Sequence, residues 1–218
     1  MNEIFSQQST LPEHIVYIID DDKDVCESLS WLLQSVQIEV QIFNSAIDFL
    51  NFPLPHRPAC LLLDIRMRGM SGLQLQETLI HRKLNLPIIF MTGHGDISMA
   101  VQAMRKGAFD FLEKPFNPQH MLNQVQSCLQ KAEIDFVAEE NKRQQRLKLN
   151  LLSPREREII DYLVDGLPSK VIAQKLNISH KTVEIHRSNI RQKLGTESIA
   201  HIVNLVLNCR NHQPQLAF

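Results

Sequence analysis

At 218 residues, with 44% hydrophobic and 22% charged residues, the chain is long enough for two ordinary domains and too evenly mixed to be disordered or fibrous. The formal net charge of −1 conceals an asymmetry: residues 1–130 carry nine Lys and Arg against fourteen Asp and Glu, whereas residues 150–218 carry nine against six. An acidic part joined to a basic part suggests a sensing half and a polyanion-binding half. Cys26, Cys60, Cys128 and Cys209 lack the spacing of a metal or redox motif and fall in apolar patterns, so they read as reduced thiols of a cytoplasmic protein. The chain has no apolar run approaching the ~18 residues of a membrane span, and its polar start has no basic segment; neither a span nor a signal peptide is expected.

In chain order, the first apolar run, His14 to Ile19, predicts a buried strand and ends in Asp20 and Asp21. Asp22 reads as a helix cap. Lys23 to Val36 then places Val25, Leu29, Leu32, Leu33 and Val36 on one helical face. A weaker strand, Glu39 to Phe43, precedes Ser45, an N-cap for a short helix through Phe49 and Leu50. Ala59 to Leu63 is a third strand, ending in Asp64, and Gly72 to Arg82 a helix with Leu73, Leu75, Leu79 and Ile80 as its apolar residues. Leu86 to Met91 predicts a fourth strand, with Thr92 at its end. Asp96 caps a helix to Lys106, where Gly107 stops it, and the fifth strand, Asp110 to Glu113, ends in Lys114. Met99, Val101 and Met104 cannot all face the sheet, so apolar surface is left there for a partner. From Pro118 a last helix with Met121, Leu122, Val125 and Leu129 runs on into the charged stretch 131–149, a semi-rigid helical linker.

Five strands and five helices in strict alternation make a doubly wound α/β sheet of the flavodoxin-like kind. In such sheets ligands gather outside the carboxyl ends of the strands. One pocket is therefore expected, with the carboxylates of Asp20, Asp21 and Asp64, the hydroxyl of Thr92 and the ammonium of Lys114.

The acidic pair after strand one, Asp64 after strand three, Thr92-Gly93 after strand four and Lys114-Pro115 after strand five together resemble a response-regulator receiver domain over residues 1–130. The block from Met91 to Phe116 is similar to the FixJ branch of the NarL/FixJ family. The resemblance implies phosphorylation of Asp64 by a sensor histidine kinase, a switch in which Thr92 and Phe111 rearrange, and homodimerisation. For Phe111 a plain core position is the alternative.

The chemistry points the same way. Three converging carboxylates repel one another unless a cation joins them, and an all-oxygen donor set suits Mg²⁺, here on Asp20, Asp21, Asp64 and the backbone carbonyl of Arg66. Asp64 is then the nucleophile, with charge neutralised by the cation, Lys114 and Thr92. One departure stands out. Family members usually carry proline four residues after the phosphorylated aspartate, whereas this chain has Arg68-Gly69, which frees the loop and adds a cation beside the pocket; phosphoryl lifetime or metal affinity is expected to differ.

Past the linker, Ser153-Pro154 with Glu156 and Glu158 marks a helix start, and Ile159, Ile160, Leu163 and Val164 lead to Gly166 as its stop. A short helix from Ser169, the turn 177–179 and a helix from His180 to Leu194 with Val183, Ile190 and Leu194 inward give a helix-turn-helix, followed by a fourth helix, Ser198 to Cys209. Leu152 to Glu158, Leu176 to Ser179, Lys181-Thr-Val183 and Lys193-Leu-Gly195 resemble the LuxR-type DNA-binding domain over residues 150–218. That resemblance puts the His180 to Leu194 helix in the major groove of a DNA operator. Lys181, Arg187, Arg191 and Lys193 become candidate phosphate contacts, and Thr182, Glu184, Ile185 and Ser188 candidates at or near the bases; His186 reads as structural. RNA polymerase is left open as a further partner.

The whole reads as a two-component response regulator and transcriptional regulator, not an enzyme. The alternatives are a regulator that binds DNA independently of phosphate, a Mg²⁺-dependent phosphohydrolase, for which residues 65 and 66 supply no general acid, and a pure interaction protein.

Overall fold

The computed structural model describes residues 14–93, 97–196 and 198–210. The chain divides into two compact units, Met1–Val137 and Ala138–Phe218, which are described separately.

The first unit holds β1 (Ile15–Ile19), α1 (Lys23–Ser35), β2 (Glu39–Phe43), α2 (Ala46–Asn51), β3 (Ala59–Asp64), α3 (Gly72–His81), β4 (Ile88–Thr92), α4 (Ile97–Arg105), β5 (Asp110–Glu113) and the start of α5 (Pro118–Asn150). The strands are all parallel, in the order β2-β1-β3-β4-β5. β1, β3 and β4 are buried along their whole length, as continuous apolar runs covered on both faces must be, while the edge strands β2 and β5 are partly exposed.

Because successive strand residues point to opposite faces, each central strand feeds two cores. Tyr17, Ile19, Leu61, Leu63 and Phe90 pack with residues of α2, α3 and α4; Val16, Ile18, Cys60, Leu62, Ile89 and Met91 pack with α1 and α5. Each such side chain removed from water contributes about 1.5–3 kcal/mol, so register is firmly held. That register matters for the site. β2 lies on one side of β1 and β3 on the other, so the connections leaving β1 and β3 diverge and open a crevice at the carboxyl ends of those strands.

Val36, expected on the packed face of α1, is instead its C-cap and is exposed; Cys26 and Ser30 are buried on that helix with Leu29 and Leu33. Asp96, the expected cap of α4, lies outside the described residues, as does the chain after Arg210. α5 is one unbroken helix of 33 residues. Ala132 is buried, so the stretch expected as linker begins within the first unit. Cys26, Cys60 and Cys128 are buried free thiols.

The second unit packs α6 (Pro154–Val164), α7 (Ser169–Lys175), α8 (His180–Leu194) and α9 (Ile199–Arg210) around Ile159, Ile160, Ile172, Val183, Ile190, Leu194 and Ile202. Ser153 caps α6 in a reciprocal capping box with Glu156. The turn from α7 to α8 passes through Asn177 at φ +52°, a left-handed conformation that Asn tolerates better than most residues. Gly195 ends α8 in the left-handed conformation. Among the described residues no helix is long and apolar enough to cross a membrane.

Candidate functional site

Asp20 and Asp64 follow directly from the apolar runs of β1 and β3, and both are almost wholly buried at the strand ends. Lys114, just past β5, reaches across to both: its Nζ donates to Asp20 Oδ2 at 2.7 Å and to Asp64 Oδ1 at 2.6 Å. Its backbone N–H is fixed by the Thr92 carbonyl at 2.7 Å, which ties the ends of β4 and β5 together. The remaining oxygens are also held. Asp20 Oδ1 accepts from the Asp22 N–H at 2.9 Å, and Asp64 Oδ2 from the Arg66 N–H at 2.7 Å. Asp22 caps α1 through the N–H groups of Asp24 and Val25, as its position suggests.

One ammonium shared by two buried carboxylates explains two upward pKa shifts. Burial pushes the Asp64 carboxyl above its ordinary pKa, and Lys114 only partly offsets this. Burial also disfavours the Lys114 ammonium, but its two carboxylates outweigh burial and raise its pKa. The rise at Lys114 favours its charged form, whereas the rise at Asp64 disfavours its own. The geometry reconciles them: the cation has two anions and each anion half a cation, so the pocket remains under-compensated in positive charge.

Three expectations meet the structure here. First, among the described residues no group of three or more His, Cys, Asp or Glu side chains stands together as a metal cluster; Lys114 bonds both Asp20 and Asp64, while Asp21 Oδ2 accepts from the Arg68 N–H of the β3–α3 loop at 3.2 Å. The donors remain chemically suited to a hard divalent cation, since all are oxygens around an electronegative pocket. Secondly, the Thr92 hydroxyl donates to the Leu112 carbonyl at 3.5 Å, toward β5. Thirdly, Phe111 is 44% exposed, which sets aside the core position that stood as its alternative. Val101 and Met104 of α4 are exposed as well, in line with the surplus of apolar residues on that helix.

Gly72 is a part of the site that sequence reasoning missed. Its N–H bonds the Ile65 carbonyl at 3.0 Å, and a Cβ there would lie 2.2 Å from the Asp64 carbonyl oxygen and 3.1 Å from the Phe90 ring. Only glycine lets α3 start this close to the backbone of Asp64. A glycine at a helix start gives no sign of such contact.

In the second unit α8 exposes Lys181, Ile185 and Ser188, while Glu184 and Arg191 are half-buried. Thr182 is engaged with the capping Ser179, its hydroxyl at 2.8 Å from the Ser179 Oγ. Arg187 is bonded to the buried Ser169 hydroxyl and lies 3.3 Å from Glu184 Oε1, which ties α8 to α7. A hydrogen bond from Ser169 holds the Glu184 carboxyl below its usual range, with Arg187 adding to it. Lys193, expected to meet DNA, is committed elsewhere: its Nζ donates to Glu156 Oε2 at 2.7 Å. Glu156 is 3% exposed, and burial alone would raise its pKa, but Lys193 and the Ser153 cap overcome this and lower it. A buried carboxylate in a capping box requires a cation, and Lys193 supplies it. Among the described residues the His186 Nδ1 is buried with no hydrogen-bond partner.

Residues 16–126 match the response regulator receiver domain family, and residues 150–206 the family of bacterial regulatory proteins, luxR family. The chain is 43% identical over 198 residues to the transcriptional regulatory protein TdiR of Thauera aromatica, covering 90% of this chain and 87% of that protein. It is similar to the solved response regulator StyR, with TM-score 0.79 and 41% identity over 90% of this chain and 99% of that one. Full-length FixJ from B. japonicum matches with TM-score 0.53 and 35% identity, over 92% and 98%.

Proposed function

The chain belongs to the response-regulator family, with a receiver domain and a LuxR-type domain, and is a two-component regulator of transcription; from that premise we propose that Asp64 is its phospho-acceptor and that phosphorylation controls how α8 engages DNA. The observation that carries this is the Lys114 ammonium on Asp64 Oδ1 and Asp20 Oδ2, a nucleophilic carboxylate and a charge-neutralising cation delivered by different strand ends.

In the proposed step, an Asp64 carboxylate oxygen bonds to phosphorus as the bond from phosphorus to the imidazole nitrogen of a sensor kinase histidine breaks, and that nitrogen keeps the electron pair. Lys114 stays beside the phosphoryl oxygens, and the Thr92 hydroxyl leaves the Leu112 carbonyl to bond one of them. A loose transition state with charge spread over three oxygens is stabilised mainly by such positioning. Asp20, Asp21, Asp64 and the Arg66 carbonyl are the groups that would hold Mg²⁺, which when bound supplies further neutralisation of phosphoryl charge. Arg66 keeps Asp64 oriented through its N–H. Phe111 turns inward to follow Thr92, and the surface carrying Val101, Met104 and Phe111 forms the homodimer.

On the output side Lys181 contacts backbone phosphate, with Arg191 beside it, and Ile185 and Ser188 meet base edges of a double-stranded operator. Arg187 and Glu184 set the angle of α8 on α7 rather than reading bases. The setting is the cytoplasm, where kinase, operator and RNA polymerase are all accessible.

The test uses the full chain and its Asp64→Asn variant, with and without a small phosphoryl donor and Mg²⁺. Intact mass should rise by one phosphoryl group in the wild type alone, accompanied by dimerisation and tighter operator binding. Equal mass and equal DNA affinity in all four samples would instead support a regulator that works without phosphate.

A further inference from the structure

Resting on the reading of the pocket as a divalent-cation site, we propose that Arg68 is a positioning residue that holds Asp21 away from the cation and so sets the pocket's divalent-cation affinity low. Two contacts carry this. The Arg68 N–H donates to Asp21 Oδ2 at 3.2 Å, and the Arg68 Nε lies 3.8 Å from the same oxygen. Both act on Asp21, the one carboxylate of the three that Lys114 is not shown to bond. Asp20 and Asp64 already share an ammonium, so Asp21 is the carboxylate of the three with the most negative charge to offer an arriving cation. Arg68 draws that charge toward the loop and adds a positive one at the pocket's mouth.

The position suits this role. The Arg68 side chain is 98% exposed and that of Asp21 30% exposed, so the guanidinium can withdraw without disturbing the core. Gly69, at φ +78°, lets the loop turn directly after it. The backbone and side-chain contributions are separable: alanine removes only the guanidinium, and proline removes the N–H as well. Exposure also limits the size of the effect, because pairs in contact with water are weak and screened by salt.

The experiment is calorimetric titration of the full-length protein with MgCl₂ at low and high ionic strength, with no phosphoryl donor present. Arg68→Ala is expected to bind Mg²⁺ roughly two- to fivefold more tightly than wild type at low salt, the size of one exposed charge pair, with the gain shrinking at high salt. Arg68→Lys should return affinity to the wild-type value, and Arg68→Pro should exceed Arg68→Ala. Measurable Mg²⁺ binding that Arg68→Ala leaves equal or weakens overturns the role of Arg68 while leaving the pocket intact. Binding that is undetectable in wild type and in Arg68→Ala alike, or unchanged by Asp64→Asn, overturns the cation-site reading itself and the Arg68 proposal with it.

Discussion

In the first unit Asp20, Asp64 and Lys114 arrive from the ends of three strands and meet, leaving negative charge without full compensation. In the second unit the charged groups of α8 come from consecutive turns of one helix, and two are paired within the fold: Lys193 with Glu156, and Arg187 with Glu184, Arg187 being bonded also to the Ser169 hydroxyl. The contrast fits the function proposed for each unit. A phosphoryl-accepting pocket is useful when its electrostatics are unfinished, because an arriving group then completes them. A reading helix is useful when its orientation is fixed beforehand, so some of its cations serve the scaffold and only the rest remain for phosphate.

The largest effect that sharpens this contrast is at Asp64, the proposed acceptor. Asp64→Asn should abolish covalent phosphoryl incorporation, measured by intact mass, yet leave basal DNA affinity and the melting of the second unit unchanged. Incorporation persisting at another carboxylate would remove the distinction between Asp64 and its neighbours.

Next is Gly72→Ala. A Cβ 2.2 Å from the Asp64 carbonyl oxygen forces α3 and the loop apart, with an expected cost of about 1–3 kcal/mol in urea unfolding of the first unit, as overpacking generally costs. Slower phosphorylation should accompany it, because the backbone of the proposed nucleophile, Asp64, shifts.

A comparable effect separates the two kinds of cation on α8. Lys193→Ala leaves Glu156 buried without its partner and should cost about 1–3 kcal/mol of stability in the second unit. Lys181→Ala should leave stability unchanged and instead weaken binding across all DNA sequences, with the salt dependence of log affinity falling by about one. The reverse pattern would exchange the two residues' roles.

The smallest effect is a pH dependence. Since the Glu156 pKa is lowered by folding, its contribution is fully present above the ordinary carboxylate range of about 4.3 and is lost as pH falls through the folded value. Glu156→Gln should flatten that acid limb of the second unit's stability, monitored by circular dichroism between neutral pH and pH ~3.

Much of this architecture was legible in the residues. Continuous apolar runs gave β1, β3 and β4, and the alternation of strand and helix implied a parallel sheet, which places Asp20, Asp64, Thr92 and Lys114 at one edge before any contact is known. Ser153-Pro154 and Gly166 announced the start and stop of α6 by local chemistry alone, and Val183, Ile190 and Leu194 the packed face of α8 by period. What depends on a chain's own neighbours along a helix or strand is carried in its pattern.

Only the tertiary structure decided which charges pair. Glu156 and Lys193 lie 37 positions apart and look like ordinary surface residues of two helices until α6 and α8 bring them to 2.7 Å. Phe111 sits in an apolar strand, but β5 is the sheet's edge, so its ring is exposed. Asp21 resembles its neighbour Asp20 in sequence, but it faces Arg68, 47 residues on. Gly72 is indispensable only because α3 begins against the Asp64 carbonyl. Side-chain period and capping act over a few residues and can be read in order. Pairing of charges and exclusion of a methyl group act over a few ångströms between segments far apart in the chain, and folding alone sets those distances.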